Sequence, residues 1–386
     1  MKFAKRMDRF GEGVFSKLAE IKKRKLEAGE QVIDLSIGAP NIPPVERIRK
    51  ILSEEAMKPE NYIYAISDQK ALLEAVSDWY QRRYGVTLDP ETEVCSLLGS
   101  QEGLSHIAMT IVDDGDLVLV PDPCYPVFAA GSLMAGAKPY YYPLVAEHDF
   151  LPYVKDIPEE VAKKARYMVV SLPSNPVGSI ATPGLYEEIV EFARKYDILI
   201  IHDNAYSDII FDGAHGGSFL STEGAREVGV EFFSLSKSFN VTGARISFLV
   251  GRPDVIAALR KLRSQIDFGM FLPIQKAAIA ALNGPLESVQ EQCDMYQERR
   301  DALCNGLREI GWDLPNGKGT MFVWARIPGG RTDSMAFCME LMEKAGVIVT
   351  PGASFGPHGE GYVRFALVLP PDKIREVVEA IRRSGI

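Results

Sequence analysis

The sequence predicts an α/β protein in which a mostly parallel, seven-stranded sheet wrapped by helices is joined to a smaller α+β unit. Three observations carry this. Continuous apolar runs such as Leu117-Val118-Leu119-Val120 and Ile198-Leu199-Ile200-Ile201 read as strands buried on both faces. Segments of helical periodicity stand between such runs, and that alternation is the pattern of a parallel sheet covered by helices. After a long helical stretch at about 285–310 the rhythm changes to strand, helix, strand, strand, helix, which marks a second and smaller unit.

The elements are expected in the following order. The first thirty residues read as a charged, weakly amphipathic helix with Phe10, Val14, Phe15, Leu18 and Ile21 at helical spacing, able to cover another surface. From about residue 65 come helix 70–84, strand 93–98, helix 101–112, strand 116–121, helix 125–136 and strands 138–143 and 166–172. Helix 183–196 follows, its start marked by Thr182-Pro183 as a cap and a first-position proline. Strands 198–202, 231–235 and 245–250 complete the large sheet. The smaller unit has strand 321–327, helix 332–345, strands 346–349 and 361–367, and helix 371–384. Residues 46–285 are assigned to the large domain and 1–45 with 286–386 to the small one, the N-terminal piece by chain economy.

Composition narrows the function. A 386-residue chain that is 46 % hydrophobic builds more than one ordinary core. It has no run approaching the roughly 20 apolar residues that span a bilayer, and the basic start has no apolar stretch behind it, so a cytoplasmic protein is expected. The net charge of −9, with both signs interspersed, speaks against nucleic acid and for a small-molecule partner. Five scattered cysteines and five histidines (His106, His148, His202, His215, His358) lack metal-site spacing.

In parallel sheets, ligands collect beyond the carboxyl ends of the strands. Four such ends interrupt apolar runs with polar residues: Gly99-Ser100-Gln101-Glu102, Pro173-Ser174-Asn175-Pro176, Asp203-Asn204-Ala205-Tyr206 and Ser234-Leu235-Ser236-Lys237. The last string, followed eight positions after the lysine by Arg245, resembles the lysine motif of class I/II aminotransferases of fold type I. The other strings, and the distant Tyr362-Val363-Arg364, stand in that family's order, and the resemblance runs from about residue 30 to the end.

The resemblance implies pyridoxal 5'-phosphate as cofactor, held on Lys237. Such a lysine has to lose its proton, so it needs desolvation or cationic neighbours, and Arg245 is one. Asp203 would keep the cofactor's ring nitrogen protonated, while Tyr206 and Asn175 would bond the ring hydroxyl oxygen. The backbone N–H groups of Ser100, Gln101 and Glu102 at a helix start, with Ser234, Ser236 and Arg245, would hold the phosphate, so the acidic Glu102 side chain is no objection. Tyr125 matches an aromatic residue stacked on the ring, and Tyr64 one that reaches the phosphate of a neighbouring subunit, which implies a homodimer. Arg364 would grip the substrate α-carboxylate with two parallel bonds, and the Gly38 backbone would approach the same group. Gln69, Glu74 and Asn41 depart from the family pattern.

The implied reaction is transamination between an amino acid and a 2-oxo acid such as 2-oxoglutarate, with the freed lysine moving the Cα proton. Carbon–sulfur β-lyases share the fold, but they usually carry histidine where Ser174 stands. An aminotransferase-like ligand-binding regulator would need an added winged-helix domain, for which the chain leaves no room. Arg9–Ser16 and Val32–Gly38 are similar to bacterial LL-diaminopimelate aminotransferases and their aspartate and alanine relatives. LL-diaminopimelate or a derivative is the first expected donor, and aspartate or alanine the second.

Overall fold

A computed structural model describes residues 2–10, 14–214 and 216–386. Met1, Gly11, Glu12, Gly13 and His215, as well as the side chains of residues 14–18, lie outside the described residues. Strand β1 (Ile33–Asp34) precedes a seven-stranded sheet made of β2 (Val94–Leu97), β3 (Leu117–Asp122), β4 (Lys138–Pro143), β5 (Ala165–Ser171), β6 (Leu199–Asp203), β7 (Gly229–Ser234) and β8 (Ser247–Gly251). The order across the sheet is β2-β8-β7-β6-β5-β3-β4. Strand β8 runs antiparallel to both its neighbours and the other pairs are parallel.

Alternation places the strand residues. Leu119 packs with one core, while Val118 and Val120 pack with the core on the opposite face. Ile200 and its neighbours Leu199 and Ile201 divide in the same way. Both faces are therefore apolar, and both are covered by helices. Helices Lys70–Tyr84, Leu185–Tyr196 and Leu272–Leu282 bring Trp79, Ile189 and Leu282 to one face. Helices Val127–Met134 and Pro253–Arg263 bring Phe128 and Leu259 to the other. Gly85, with φ of 68°, ends the first of these helices in the left-handed conformation that favours glycine.

The smaller unit contains β9 (Phe322–Arg326), β10 (Val347–Ile348), β11 (Thr350–Pro351) and β12 (Tyr362–Ala366). Strands β11, β12 and β9 form an antiparallel sheet, and β1 pairs in parallel with β10. Its core holds Leu35, Trp312, Phe337 and Phe365, closed by helices Glu287–Glu309, Ser334–Ala345 and Pro371–Ser384.

Several local expectations are corrected. The N-terminal helix is interrupted: a 3-10 turn, Lys5–Arg9, precedes the helix Val14–Glu27, and Phe10 is extended. The expected strand 346–349 is two pieces, because the chain leaves β1 after Ile348 and takes β12 as its partner from Thr350. Thr182-Pro183 lies in a turn ahead of its helix, which starts at Leu185 after Gly184. Helix 101–112 is α-helical only at Ser100–His106 and continues as a 3-10 segment, Ile107–Thr110. Helices Glu46–Ala56, Pro253–Arg263 and Leu272–Leu282 are additional to the expected elements. In the last two, proline in the first turn is a readable start signal.

Among the described residues, no helix is long and apolar enough to cross a membrane, and no group of three or more His, Cys, Asp or Glu could hold a metal ion.

Candidate active site

In the order of the large sheet the chain runs outward from β3 to β4, then returns to the other side of β3 as β5. Such a reversal leaves a crevice beyond the carboxyl ends of the strands. A cavity of about 1020 Å³ lies there, lined by Tyr125 after β3, Asn175 after β5, Asp203 at the end of β6 and Ser234 at the end of β7. The small unit contributes Phe322, Phe355 and Arg364.

Lys237 sits in a single helical turn, Leu235–Ser238, that follows β7 directly. The Ser234 hydroxyl caps this turn by accepting from the Ser236 amide at 3.1 Å. Gln292, from the long helix Glu287–Glu309, donates to the Lys237 carbonyl. With its backbone fixed on both sides, Lys237 extends its Nζ to donate to the Gly38 carbonyl at 2.9 Å. Burial pushes its ammonium down to about 8, and the Arg364 and Arg245 guanidinium groups push in the same direction.

Asp203 is 7 % exposed, and its Oδ1 has no hydrogen-bond partner. Burial raises this carboxyl to about 6. Behind it the buried His202 Nδ1 lies 2.8 Å from Glu231 Oε2, and Tyr80 donates to Glu231 Oε1 at 2.8 Å. Glu231 is thus fully engaged, while Asp203 faces the cavity with one oxygen unpaired. An unpaired carboxylate oxygen in a low-dielectric site is costly unless a cationic donor meets it there.

Arg364 lies between two aromatic faces, its guanidinium carbon 4.1 Å from the Phe322 ring centre and 4.6 Å from that of Phe355. Its Nη1 donates to Asn175 Oδ1 at 2.8 Å and its Nη2 to the Ser36 carbonyl at 2.9 Å. Its Nε has no partner. Burial lowers its pKa to about 10. Gly38 is packed so closely that a Cβ there would come within 2.4 Å of the Phe322 ring. Gly99, with φ of +90°, leaves room for Arg245, whose guanidinium would lie 2.2 Å from a Cβ. Ser100 Oγ is buried and unpartnered beside them. The Tyr125 hydroxyl donates to Gln101 Oε1 at 2.8 Å, which fixes the ring at the cavity edge. Tyr206 and Ser236 also face the cavity.

Two candidates do not line the cavity of this chain, in keeping with a backbone role for Glu102 and a role in a neighbouring subunit for Tyr64. The Glu102 carboxylate engages the Leu98 amide and His106, and its amide donates to the Gly99 carbonyl at 3.1 Å. Its place on the opposite side of the helix start turns it inward to the protein. Tyr64 is 76 % exposed, also outside the cavity of its own chain, with its ring centre 5.1 Å from that of Phe268. Sequence reasoning missed Phe322 and Phe355, which carry no local signal because they matter only through the distant Arg364. The departure Asn41 has a structural role: it donates to the Val368 carbonyl and accepts from Arg299 at 2.9 Å.

Comparison with known proteins adds the family. The sequence profile of aminotransferase class I and II matches residues 30–381. The LL-diaminopimelate aminotransferase of Moorella thermoacetica is 47 % identical over 95 % of this chain and 94 % of its own. Substrate-bound BacF from Bacillus subtilis superposes with a TM-score of 0.95 at 35 % identity, covering 99 % of this chain and 98 % of that one. A probable N-succinyldiaminopimelate aminotransferase from Thermus thermophilus gives 0.91 at 36 % identity, covering 96 % and 100 %. These proteins share fold type I, whose aminotransferases use pyridoxal phosphate in general. A buried lysine, an unpaired aspartate and a stacked arginine at the sheet's switch point, within a match of this extent, have one explanation: the chain belongs to the class I and II aminotransferases.

Proposed function

We propose that this chain is a cytoplasmic, homodimeric aminotransferase that uses pyridoxal 5'-phosphate to move an amino group between LL-diaminopimelate, or a derivative, and a 2-oxo acid such as 2-oxoglutarate. The observation that carries the cofactor reading is the pairing in one cavity of Lys237, its pKa lowered to about 8, with the buried and unpartnered Asp203 Oδ1. The substrate reading is supported by the Moorella relative, which bears that name and is 47 % identical.

The residues present fit the cofactor. Asp203 Oδ1 offers an acceptor without a donor, as a protonated ring nitrogen requires. Ser100 Oγ, Ser236 and Arg245 gather donors for a phosphate, and Gln101 holds Tyr125 where its ring can stack. Asn175 and Tyr206 would bond the ring hydroxyl oxygen. When bound, pyridoxal phosphate supplies an electron sink for the bonds at the substrate Cα. Arg364 would take the α-carboxylate with its fork and so orient the Cα–H bond. Lys237, whose ammonium is more easily deprotonated than an ordinary lysine's because it is buried, would accept the Cα proton and return it on the other side of the reaction. Asp203 would hold a proton at the ring nitrogen throughout. Residues 46–285 would form the cofactor domain, with 1–45 and 286–386 as the small domain.

The dimer reading rests on an exposed apolar ladder. Tyr62, Ile63, Tyr64 and Ile66 are each more than 60 % exposed, and Tyr62 and Tyr64 pair with Phe271 and Phe268 at 5.2 and 5.1 Å. A contiguous face of this kind is the usual mark of a subunit contact. A panel of amino donors, assayed with 2-oxoglutarate and with pyruvate, tests the function directly. Selective turnover of LL-diaminopimelate is expected. Turnover of aspartate or alanine alone would discard the substrate assignment.

A further inference from the structure

We propose that the cavity contains a second, distal subsite built on Lys22 and Asp34, which binds the far end of a long amino acid that carries a second carboxylate. This rests on the reading above in one respect: the reacting Cα is placed beside Lys237.

The cavity does not end at the cofactor residues. Its lining also includes Ile37, the apolar side chains of Met7, Phe10, Val127, Ala130 and Met134, and the charged pair Lys22 and Asp34. These apolar residues suit the methylene chain of a substrate, and the charged pair suits its far end. Contacts hold the described residues of the N-terminal segment on either side: Arg9 donates to the Leu133 carbonyl at 3.1 Å, and the buried Lys25 pairs with Glu30 at 2.6 Å and with Glu343 at 3.2 Å. Met7, Phe10, Ala19 and Lys22 line the cavity.

The lysine and the aspartate are arranged for a zwitterionic head. Lys22 Nζ meets Asp34 Oδ2 at 2.7 Å, with side-chain exposures of 35 % and 17 %. Asp34 Oδ1 already accepts from the Ser36 amide at 2.9 Å and from its hydroxyl at 2.6 Å, so the carboxylate is held and Oδ2 is the movable contact. A partly exposed pair of this kind adds little to folding stability. An entering carboxylate can take the Lys22 ammonium, which has three donors, while an entering ammonium takes Asp34 Oδ2. One pair is then exchanged for two.

The chain length between the two ends permits this. Asp34 lies four residues before Gly38, whose carbonyl receives Lys237 at 2.9 Å, and extended chain spans at most about 14 Å over that interval. A seven-carbon chain has six C–C bonds, as many backbone bonds as two extended residues, or about 7 Å, and so falls within that limit. A short amino acid leaves the pair untouched.

The test compares 2-aminopimelate, which has a distal carboxylate, with 2-aminoheptanoate, which has the same length without one. Their ratio of kcat/KM is read in the wild-type holoenzyme and in Lys22→Met. The ratio is expected to favour 2-aminopimelate and to fall about ten-fold or more in the variant, the worth of one charge-assisted bond. Asp34→Asn should instead lower the ratio of LL-diaminopimelate to 2-aminopimelate, which differ in the distal amine. A loss shared equally by all substrates would assign Lys22 a structural role and overturn the proposal, as would a ratio unmoved by Lys22→Met. Should LL-diaminopimelate fail as a donor while the 2-aminopimelate ratio still collapses in Lys22→Met, the substrate assignment falls and the subsite stands.

Discussion

Arg364 and Asn175, 189 positions apart in the chain, meet in the buried floor of the cavity, where Arg364 Nη1 donates to Asn175 Oδ1 at 2.8 Å. The guanidinium is held there between Phe322 and Phe355, so its plane is set before any ligand arrives. Lysine at 364 would keep the charge but lose the planar fork and the stacking. Arg364→Lys should therefore raise KM for amino acids of every chain length by ten-fold or more, since a charge-assisted bond is worth about 1.5–3 kcal/mol. Cofactor content should stay near stoichiometric. An unchanged KM would remove Arg364 from carboxylate binding.

The lowered pKa of Lys237 predicts how the cofactor-free protein takes up its cofactor. Only the neutral amine is nucleophilic, and its fraction rises as pH approaches about 8 and levels off above it. The uptake rate, followed by visible absorbance in stopped flow, should climb through this window. In Lys237→Ala both the bound-cofactor absorbance and turnover should be lost. Uptake still rising steeply toward pH 10, as for an ordinary lysine, would contradict the burial argument.

Asp203 predicts a conflict between stability and activity. Its folded-state value of about 6 lies above the ordinary 3.8, so the folded chain takes up this proton first as pH falls. The cost of burying the ionised form is present in full above about pH 6 and is gone below about pH 4. In the cofactor-free protein, Asp203→Asn should be more stable than wild type by up to about 3 kcal/mol near neutral pH, and the gap should close as the pH is lowered toward 4. Urea titrations at several pH values measure it. The same variant, loaded with cofactor, should lose several orders of magnitude in the rate of Cα proton removal, and a half-reaction at the wild-type rate would take Asp203 out of the site.

Tyr64 predicts shared sites. It is absent from the cavity of its own chain and stands 76 % exposed on the apolar ladder. Losing its bond to a neighbouring subunit's phosphate should weaken cofactor retention about ten-fold in Tyr64→Phe. Mixing that variant with Lys237→Ala chains should restore tight binding in hybrid dimers, because the site with intact Lys237 borrows Tyr64 from its partner. A cofactor-saturated, active monomer in sedimentation would end the proposal.

The strands, and with them the places where chemistry can stand, are legible in the order of residues alone. Burial on both faces forces apolar runs, so strands such as Leu117–Asp122 and Leu199–Asp203 are visible as interruptions of polarity. The polar residues that end such runs, Asp203 and Ser234 with Lys237 just beyond, are visible for the same reason. Which distant residues meet is a matter of packing. That Lys237 reaches Gly38 across 199 positions, and that Arg364 is sandwiched by Phe322 and Phe355, follows from sheet order and from how the smaller unit packs on the larger. Local periodicity reports which face of an element is buried, and it carries no term for the partner that buries it. The N-terminal segment shows the same limit: its amphipathic pattern signals a covering role, and only the packing of Met7, Phe10 and Lys22 against the cavity reveals what it covers.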